Sequence, residues 1–237
     1  MSQTANSPGI APVWLTAFLD FPAEQFEREV AFWRAVTATT LSPSRGPTGE
    51  FATLVPADGD AFLRVQRLGD GPARVHLDVH RVGREFEIRQ SPGGFVFCEV
   101  GEGESVRPKP VAWAGGHTSL VDQICLDIPA GRFDEECAFW AEETGWEVRA
   151  TSRPELRFLV RPAGIPLRIL LQRLDEQDGP MRAHLDLAST DRAAETRRHV
   201  GLGASVVSTG TNWTVLRDPT GLTYCVTDRN PETGLLG

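Results

Sequence analysis

One fifteen-residue stretch occurs twice in this chain. Residues 19–33 read LDFPAEQFEREVAFW and residues 126–140 read LDIPAGRFDEECAFW. Leu-Asp, Pro-Ala, the Phe that follows, an acidic residue and Ala-Phe-Trp stand in register. The offset is 107 at both ends, 126 against 19 and 140 against 33. Composition alone does not produce that density of identity, so the 237 residues are two copies of one unit. Each copy of about 110–120 residues is long enough to close its own core. Any fold must therefore accommodate two equivalent halves, and any site has a counterpart to be compared with.

Charge and sequence pattern exclude several classes of function. The formal net charge of −8 supplies neither the basic surface that binds nucleic acid by counterion release nor one that attracts anionic lipid. No apolar run approaches the ~20 residues of a membrane-spanning helix. The opening MSQTANSPG lacks the basic-then-apolar profile of a secretory leader. Cys98, Cys125, Cys137 and Cys225 form no CxxC pair, which fits reduced thiols of a cytoplasmic protein and not a structural zinc.

Along the chain, residues 1–11 are small and polar and are expected to be disordered. A strand is expected over 13–21. Pro22-Ala23 breaks it, and a helix follows with Phe26, Val30 and Trp33 on one face. Residues 41–50 are expected as loop, and strands at 51–55, 62–68, 75–80, 86–89 and 95–100. Residues 101–117, rich in Gly, Pro and charge, read as the inter-domain linker, with Trp113 available to pin it. The domains are then 12–100 and 118–230. The second begins with a strand at 121–128 and a helix marked by Phe133, Cys137 and Trp140 that Gly145 ends. Strands follow at 146–150, 156–161, 167–174 and 182–187. A helix starting near Ser189-Thr190-Asp191 precedes strands at 204–208, 213–217 and 222–227.

Each copy is itself built from two similar parts, strand-helix-three strands in the second copy, twice. From His76 to Cys98 the first copy spans 22 residues, whereas His184 to Cys225 spans 41. The deficit corresponds to the helix 191–201 and the strand after it, so the first copy is trimmed.

Paired strand-helix-three-strand modules, VQRL (65–68) before VHLDV (75–79), LQRL (171–174) before AHLDL (183–187), and DPTGLTYC (218–225) together resemble the glyoxalase/bleomycin-resistance/dioxygenase, or vicinal oxygen chelate, superfamily. The resemblance covers about 12–228 and implies an α+β fold. In it, paired βαβββ modules form curved mixed sheets, with helices on the convex face and a ligand in the concave cup. Strand parity agrees: Ile124, Leu126 and Ile128 share one face of their strand, and Gln123, Cys125 and Asp127 the other.

Metal-dependent members of that superfamily place ligands at four equivalent positions. By motif these are Gln123, Gln172, His184 and Cys225 in the second copy, and Thr16, Gln66, His76 and Cys98 in the first. Each cup keeps one histidine and has lost both carboxylates, so no cofactor is expected and a divalent metal is disfavoured. His184 and His76 are the candidate acid-base residues, His184 first; the alternative is a cup histidine hydrogen-bonded to Asp186 or Asp78 that holds the strand and binds ligand without chemistry. Cys225 is a nucleophile only if His184 lowers its pKa. Gln123, Gln172, Asp186, Cys225, Trp213 and Arg168 complete the expected ligand site, and Arg157, Arg217 and Trp146 are expected near its rim. The Phe/Trp helix stripe reads as core, and no phosphate-binding glycine loop is present. The expected function is binding of a small organic molecule in the second cup, by sequestration or through an acid-base isomerase or lyase step at His184. The alternatives are a metal-dependent lyase or dioxygenase and a homodimeric interaction module. No nucleic-acid or membrane partner is expected.

Overall fold

A computed structural model describes residues 11–101, 103 and 106–236; the expectation for residues 1–10 lies outside them. The first half consists of β1 (Trp14–Pro22), α1 (Phe26–Thr37), β2 (Thr40–Leu41), β3 (Phe51–Val55), β4 (Leu63–Leu68), β5 (Arg74–His80), β6 (Glu87–Gln90) and β7 (Val96–Val100). Its seven strands form one sheet in the order β2-β3-β4-β1-β5-β7-β6. The second half has β8 (Val111–Ala112), β9 (Thr118–Ile128), α2 (Phe133–Thr144), β10 (Val148–Ala150), β11 (Leu156–Leu159), β12 (Arg168–Arg173) and β13 (Arg182–Ser189). It ends with α3 (Arg192–Gly201), β14 (Ser205–Thr209), β15 (Trp213–Arg217) and β16 (Thr223–Thr227). These strands run β10-β11-β12-β9-β13-β16-β15-β14, with β8 added to β9.

The duplicated stretch supplies the centre of each sheet. β1 pairs in parallel with β4 and antiparallel with β5; β9 pairs in the same way with β12 and β13. The two modules of each half therefore join within the chain, into an α+β fold of curved mixed sheets. All nine residues of β1 are buried, as a strand covered on both faces requires. Where the second sheet ends β16-β15-β14 with α3 behind it, the first ends β7-β6. One strand and one helix are missing, which accounts for the shorter spacing in the sequence.

The helix ends record the duplication at single-residue level. α2 stops at Gly145, which takes φ 69°. The residue 107 places earlier is Ala38, which caps α1 in the same left-handed conformation at φ 52° and is the one non-glycine with positive φ among the described residues. A Cβ in that region costs roughly 1 kcal/mol. Ala38→Gly is expected to raise the denaturation midpoint by a few degrees, read by circular dichroism; no gain would mean that the cap is relaxed by its neighbours.

The Phe-Trp pair of each helix does more than cover its own sheet. Trp33 packs edge-on to Tyr224 of the other half at 5.2 Å and donates to Asp218 at 3.1 Å. Trp140 meets Phe97 at 5.1 Å and Phe95 at 6.1 Å, both in the first half. A buried ion-pair group crosses the same boundary: Arg81 bonds Glu99 at 3.1 Å and Glu143 of α2 at 2.8 Å. The linker is not free chain: β8 lies within it and pairs with β9. Trp113 is pinned to the second half by Ser119 at 2.8 Å and by the Arg198 guanidinium 3.4 Å above its ring. Trp146, expected at the cup rim, is a buried core residue. No helix among the described residues is long and apolar enough to cross a membrane.

Candidate functional site

The concave face of the second sheet is built on β9. Ile124, Leu126 and Ile128 turn inward to the core and are fully buried, which leaves Gln123, Cys125 and Asp127 on the cup side. β13 runs antiparallel beside it, with Asp186 opposite Gln123 and His184 opposite Cys125. Beyond these, Arg168 of β12 lies opposite Gln123, and Cys225 of β16 opposite Asp186. One row of the cup is thus Arg168, Gln123, Asp186 and Cys225. The motif-derived set does not fall in one row: His184 lies opposite Cys125, two residues along, and Gln172 opposite Asp127, four residues along. A displacement of two residues keeps a side chain on its face but moves it along the strand, and only cross-strand register reveals it.

All seven side chains expected at the second site line one cavity of about 500 Å³: Gln123, Gln172, His184, Asp186, Cys225, Trp213 and Arg168. The three rim candidates do not, Trp146 being in the core. Arg157 points to the helix side, where it pairs with Asp134 at 2.9 Å and covers the Phe133 ring at 4.9 Å. Arg217 is exposed on the far end of β15 and lies outside the lining.

His184 sits between two carboxylates. Its Nδ1 lies 3.0 Å from Asp127 Oδ2 and its Nε2 lies 3.4 Å from Asp186 Oδ1. Asp186 also accepts from Gln123 Nε2 and lies 3.6 Å from Arg229, while Arg168 Nε donates to Gln123 Oε1 at 2.7 Å. Burial by itself disfavours the imidazolium. Cys125 and the carboxylates of Asp127 and Asp186 outweigh it, so His184 titrates well above the ordinary histidine value. Burial also pushes the Cys125 thiol up. That thiol is neutral near pH 7, and the two carboxylates carry the effect. Burial would raise Asp186 too, but the adjacent His184 and the Arg229 charge hold it below the usual carboxylate range. Cys225 is pushed up, by burial and then by Asp186, so it is not an activated nucleophile.

Strand parity puts Asp127 on the cup face without giving it a role, and Asp122 is not singled out at all. Asp127 is the Asp of the repeated Leu-Asp, and its counterpart Asp20 bonds His76 Nδ1 at 2.9 Å. The recurrence of Leu-Asp and His-x-Asp at matching offsets was the available signal. Asp122 enters through a β-bulge: β13 steps from Asp186 opposite Gln123 to Leu187 opposite Val121, and the extra Asp122 binds Arg229 at 2.5 Å.

The first cup repeats the clamp with different surroundings. Gln66, His76 and Cys98 line a wider cleft of about 1220 Å³, and His76 stacks on Phe18 at 4.5 Å. Thr16 is the exception: it is buried, bonds His80 at 2.9 Å and does not line the cleft. Phe62 stands four residues before Gln66, where Arg168 stands four before Gln172. Burial raises Asp78, the opposite of Asp186, and pushes Cys98 up to about 12. The two cups are chemically inequivalent.

The four motif positions of each cup carry no carboxylate, but Asp186 and Asp78 stand beside them and supply one to each cup. His184, Asp186 and Cys225 bring potential ligand atoms within 4.8 Å of one another, as do His76, Asp78 and Cys98, and Cys125, Asp127 and His184. Asp186 Oδ1 and Asp78 Oδ1 have no hydrogen-bond partner. One imidazole, one carboxylate and one thiol fit a zinc-like ion, with Asp127 orienting His184 from behind. They do not make the two-histidine, one-carboxylate set of non-haem iron. These donor groups stand against the expectation that no metal has a place in the cups.

Solved structures share this architecture. The Mn(II)-bound glyoxalase from Novosphingobium aromaticivorans is 14% identical with a TM-score of 0.62, over 96% of this chain and 87% of that one. A 4-hydroxymandelate synthase variant from Streptomyces coelicolor is 14% identical with a TM-score of 0.60, over 95% and 94%. The 2,3-dioxygenase LapB from Pseudomonas sp. KL28 is 11% identical with a TM-score of 0.60, over 92% of each chain. No curated protein sequence matches significantly. At these identities the structures establish a shared fold. The profile of the glyoxalase-like domain matches residues 16–93 and 123–227, in both halves and on both clamps. With its duplicated modules, its paired sheets and these two matched segments, the chain belongs to the glyoxalase-like domain family of the vicinal oxygen chelate superfamily.

Proposed function

We propose that the protein binds a small organic molecule in the second cup, without a catalytic metal, and that His184 is the proton carrier there. The observation that carries this reading is the clamp of His184 between Asp127 and Asp186 at the wall of a cavity of about 500 Å³. Asp127 fixes Nδ1–H, whereas Nε2 lies 3.4 Å from Asp186 Oδ1 without a formed hydrogen bond, so Nε2–H is the proton a ligand would compete for. Transfer from Nε2 leaves a neutral imidazole between two carboxylates, an arrangement that favours recovery of the proton in the next step. Such a group serves an isomerase or lyase step; without turnover it serves as a hydrogen-bond donor in sequestration. Two guanidiniums in the row, Arg168 beside Gln123 and Arg229 beside Asp186, disfavour a divalent ion at the same place. The unpaired cysteines fit a reducing, cytoplasmic setting.

A second reading rests on the unpartnered Asp186 Oδ1. In it, His184, Asp186 and Cys225 hold a zinc-like ion, which when bound supplies Lewis-acid polarisation of an oxygen substituent. Elemental analysis of protein purified without chelator separates the two. Well under one equivalent of any divalent metal is expected, and no change in His184→Ala. A stoichiometric metal that the substitution removes would establish the second reading instead.

A further inference from the structure

The guanidinium of Arg168 is the unbalanced charge of the second cup. Other buried arginines have carboxylates: Arg81 has Glu99 and Glu143, Arg229 has Asp122, and Arg198 has Glu195 at 2.7 Å. Arg161 instead gives Nη1 to the backbone carbonyls of Asp122 and Pro166. Arg168 makes one hydrogen bond, from Nε to the neutral Gln123, and lays its face 4.9 Å from the Phe158 ring. Among the described residues no carboxylate lies within ion-pair distance of it, and Nη1 and Nη2 have no partner. The carboxylates around the cavity are already engaged. Asp127 holds His184, Asp186 holds His184 and Gln123, Asp122 holds Arg229, and Glu155 pairs with Arg153 at 3.2 Å.

A half-buried cation without a counter-charge is costly unless something supplies one. Burial and then Arg229 depress Arg168 to about 10, opposed by Asp122 and Asp186 from beyond ion-pair distance, which still leaves it charged at neutral pH. The paired Nη1 and Nη2 donors match the two oxygens of a carboxylate. Around them the walls are apolar: Phe158, Leu170, Trp213, Val215, Leu235 and Leu236.

Resting on the second cup as a ligand site, we infer that its ligand is an organic anion, a carboxylate held by Nη1 and Nη2 of Arg168 with an apolar body against Phe158 and Trp213. Gln123 holds the guanidinium in place, and His184, two residues along β13 from that row, lines the same cavity to meet the far side of the ligand. In the first cup Phe62 stands in the equivalent place, and the arginine of that strand that lines the cleft is Arg64, two residues further along.

The test compares phenylacetate with its neutral counterpart phenylacetamide, titrated into the full chain and followed by Trp213 fluorescence, with Trp213→Phe locating the signal. Phenylacetate is expected to bind at least tenfold more tightly, as one bidentate charge-assisted pair allows. Arg168→Met should abolish that preference. Arg168→Lys, which keeps the charge without the fork, should retain part of it. If Arg168→Met does not fold, the wild-type ratio and the lysine variant decide. Equal affinities in the wild type, or a preference that survives in Arg168→Met or is undiminished in Arg168→Lys, would overturn the anion assignment while leaving the second cup as a ligand site. Absence of any saturable signal from either probe would overturn both.

Discussion

Trp140→Ala will lower the stability of the whole chain by about 3–5 kcal/mol, the range for truncating a fully buried aromatic residue. Trp140 has no exposed surface, and its ring contacts Phe95, Phe97 and Phe139. Its Nε1 donates to Glu136 at 3.0 Å, so truncation also strips a donor from a buried carboxyl that burial already raises. For a chain of this size the thermal midpoint should fall by roughly 10 °C. The more telling part is the shape of the transition. Trp140 belongs to the second half and two of its ring partners to the first, and Trp33 mirrors this by packing on Tyr224. Both halves should therefore lose structure together in denaturant, in the variant as in the wild type. A first transition confined to one half would show that the shared Phe-Trp layer does not couple them.

The second large effect concerns the clamp. In the proposed proton-transfer role, His184→Ala should slow the step by about 10²–10⁴, the usual contribution of a positioned acid-base group. Asp127→Asn should slow it less while moving the pH profile to lower pH, because one of the carboxylates that raise His184 is gone. Stability provides an independent readout. The folded-state pKa of His184 lies above the unfolded value. Its contribution is fully present below the unfolded pKa and is lost as pH rises through the folded one. His184→Ala should thus destabilise most at about pH 6, where it leaves Asp127 and Asp186 facing each other without a cation, and least at high pH. A pH-independent loss would mean that the imidazole serves only as packing.

How much of this was legible in the sequence depended on periodicity and repetition. The offset of 107 and the alternation around Ile124 and Leu126 gave the central strands, the helices behind them and the missing helix of the first half, because these depend on local pattern. The cup face of β9 was legible for the same reason. The row in which Asp186 replaces His184 beside Gln123 was not, since pairing register depends on partners 45 to 63 residues away. Asp122 was hidden by a bulge, which breaks the alternation that parity relies on. The face that Arg157 takes was not legible, because the four-residue strand LRFL is too short to carry a parity signal of its own. Ala38 could have been found by laying it on Gly145.

The protonation state of His184 bears most directly on the central claim, that the second cup is a metal-free, proton-carrying ligand site. Nitrogen-15 NMR of the imidazole, in protein purified without chelator and held at pH 7.5, reads it. Both ring nitrogens are expected to carry protons, with the transition to the neutral form well above 6.5. A neutral ring at that pH, or an Nε2 signal shifted by a bound metal and restored by chelation, would contradict it.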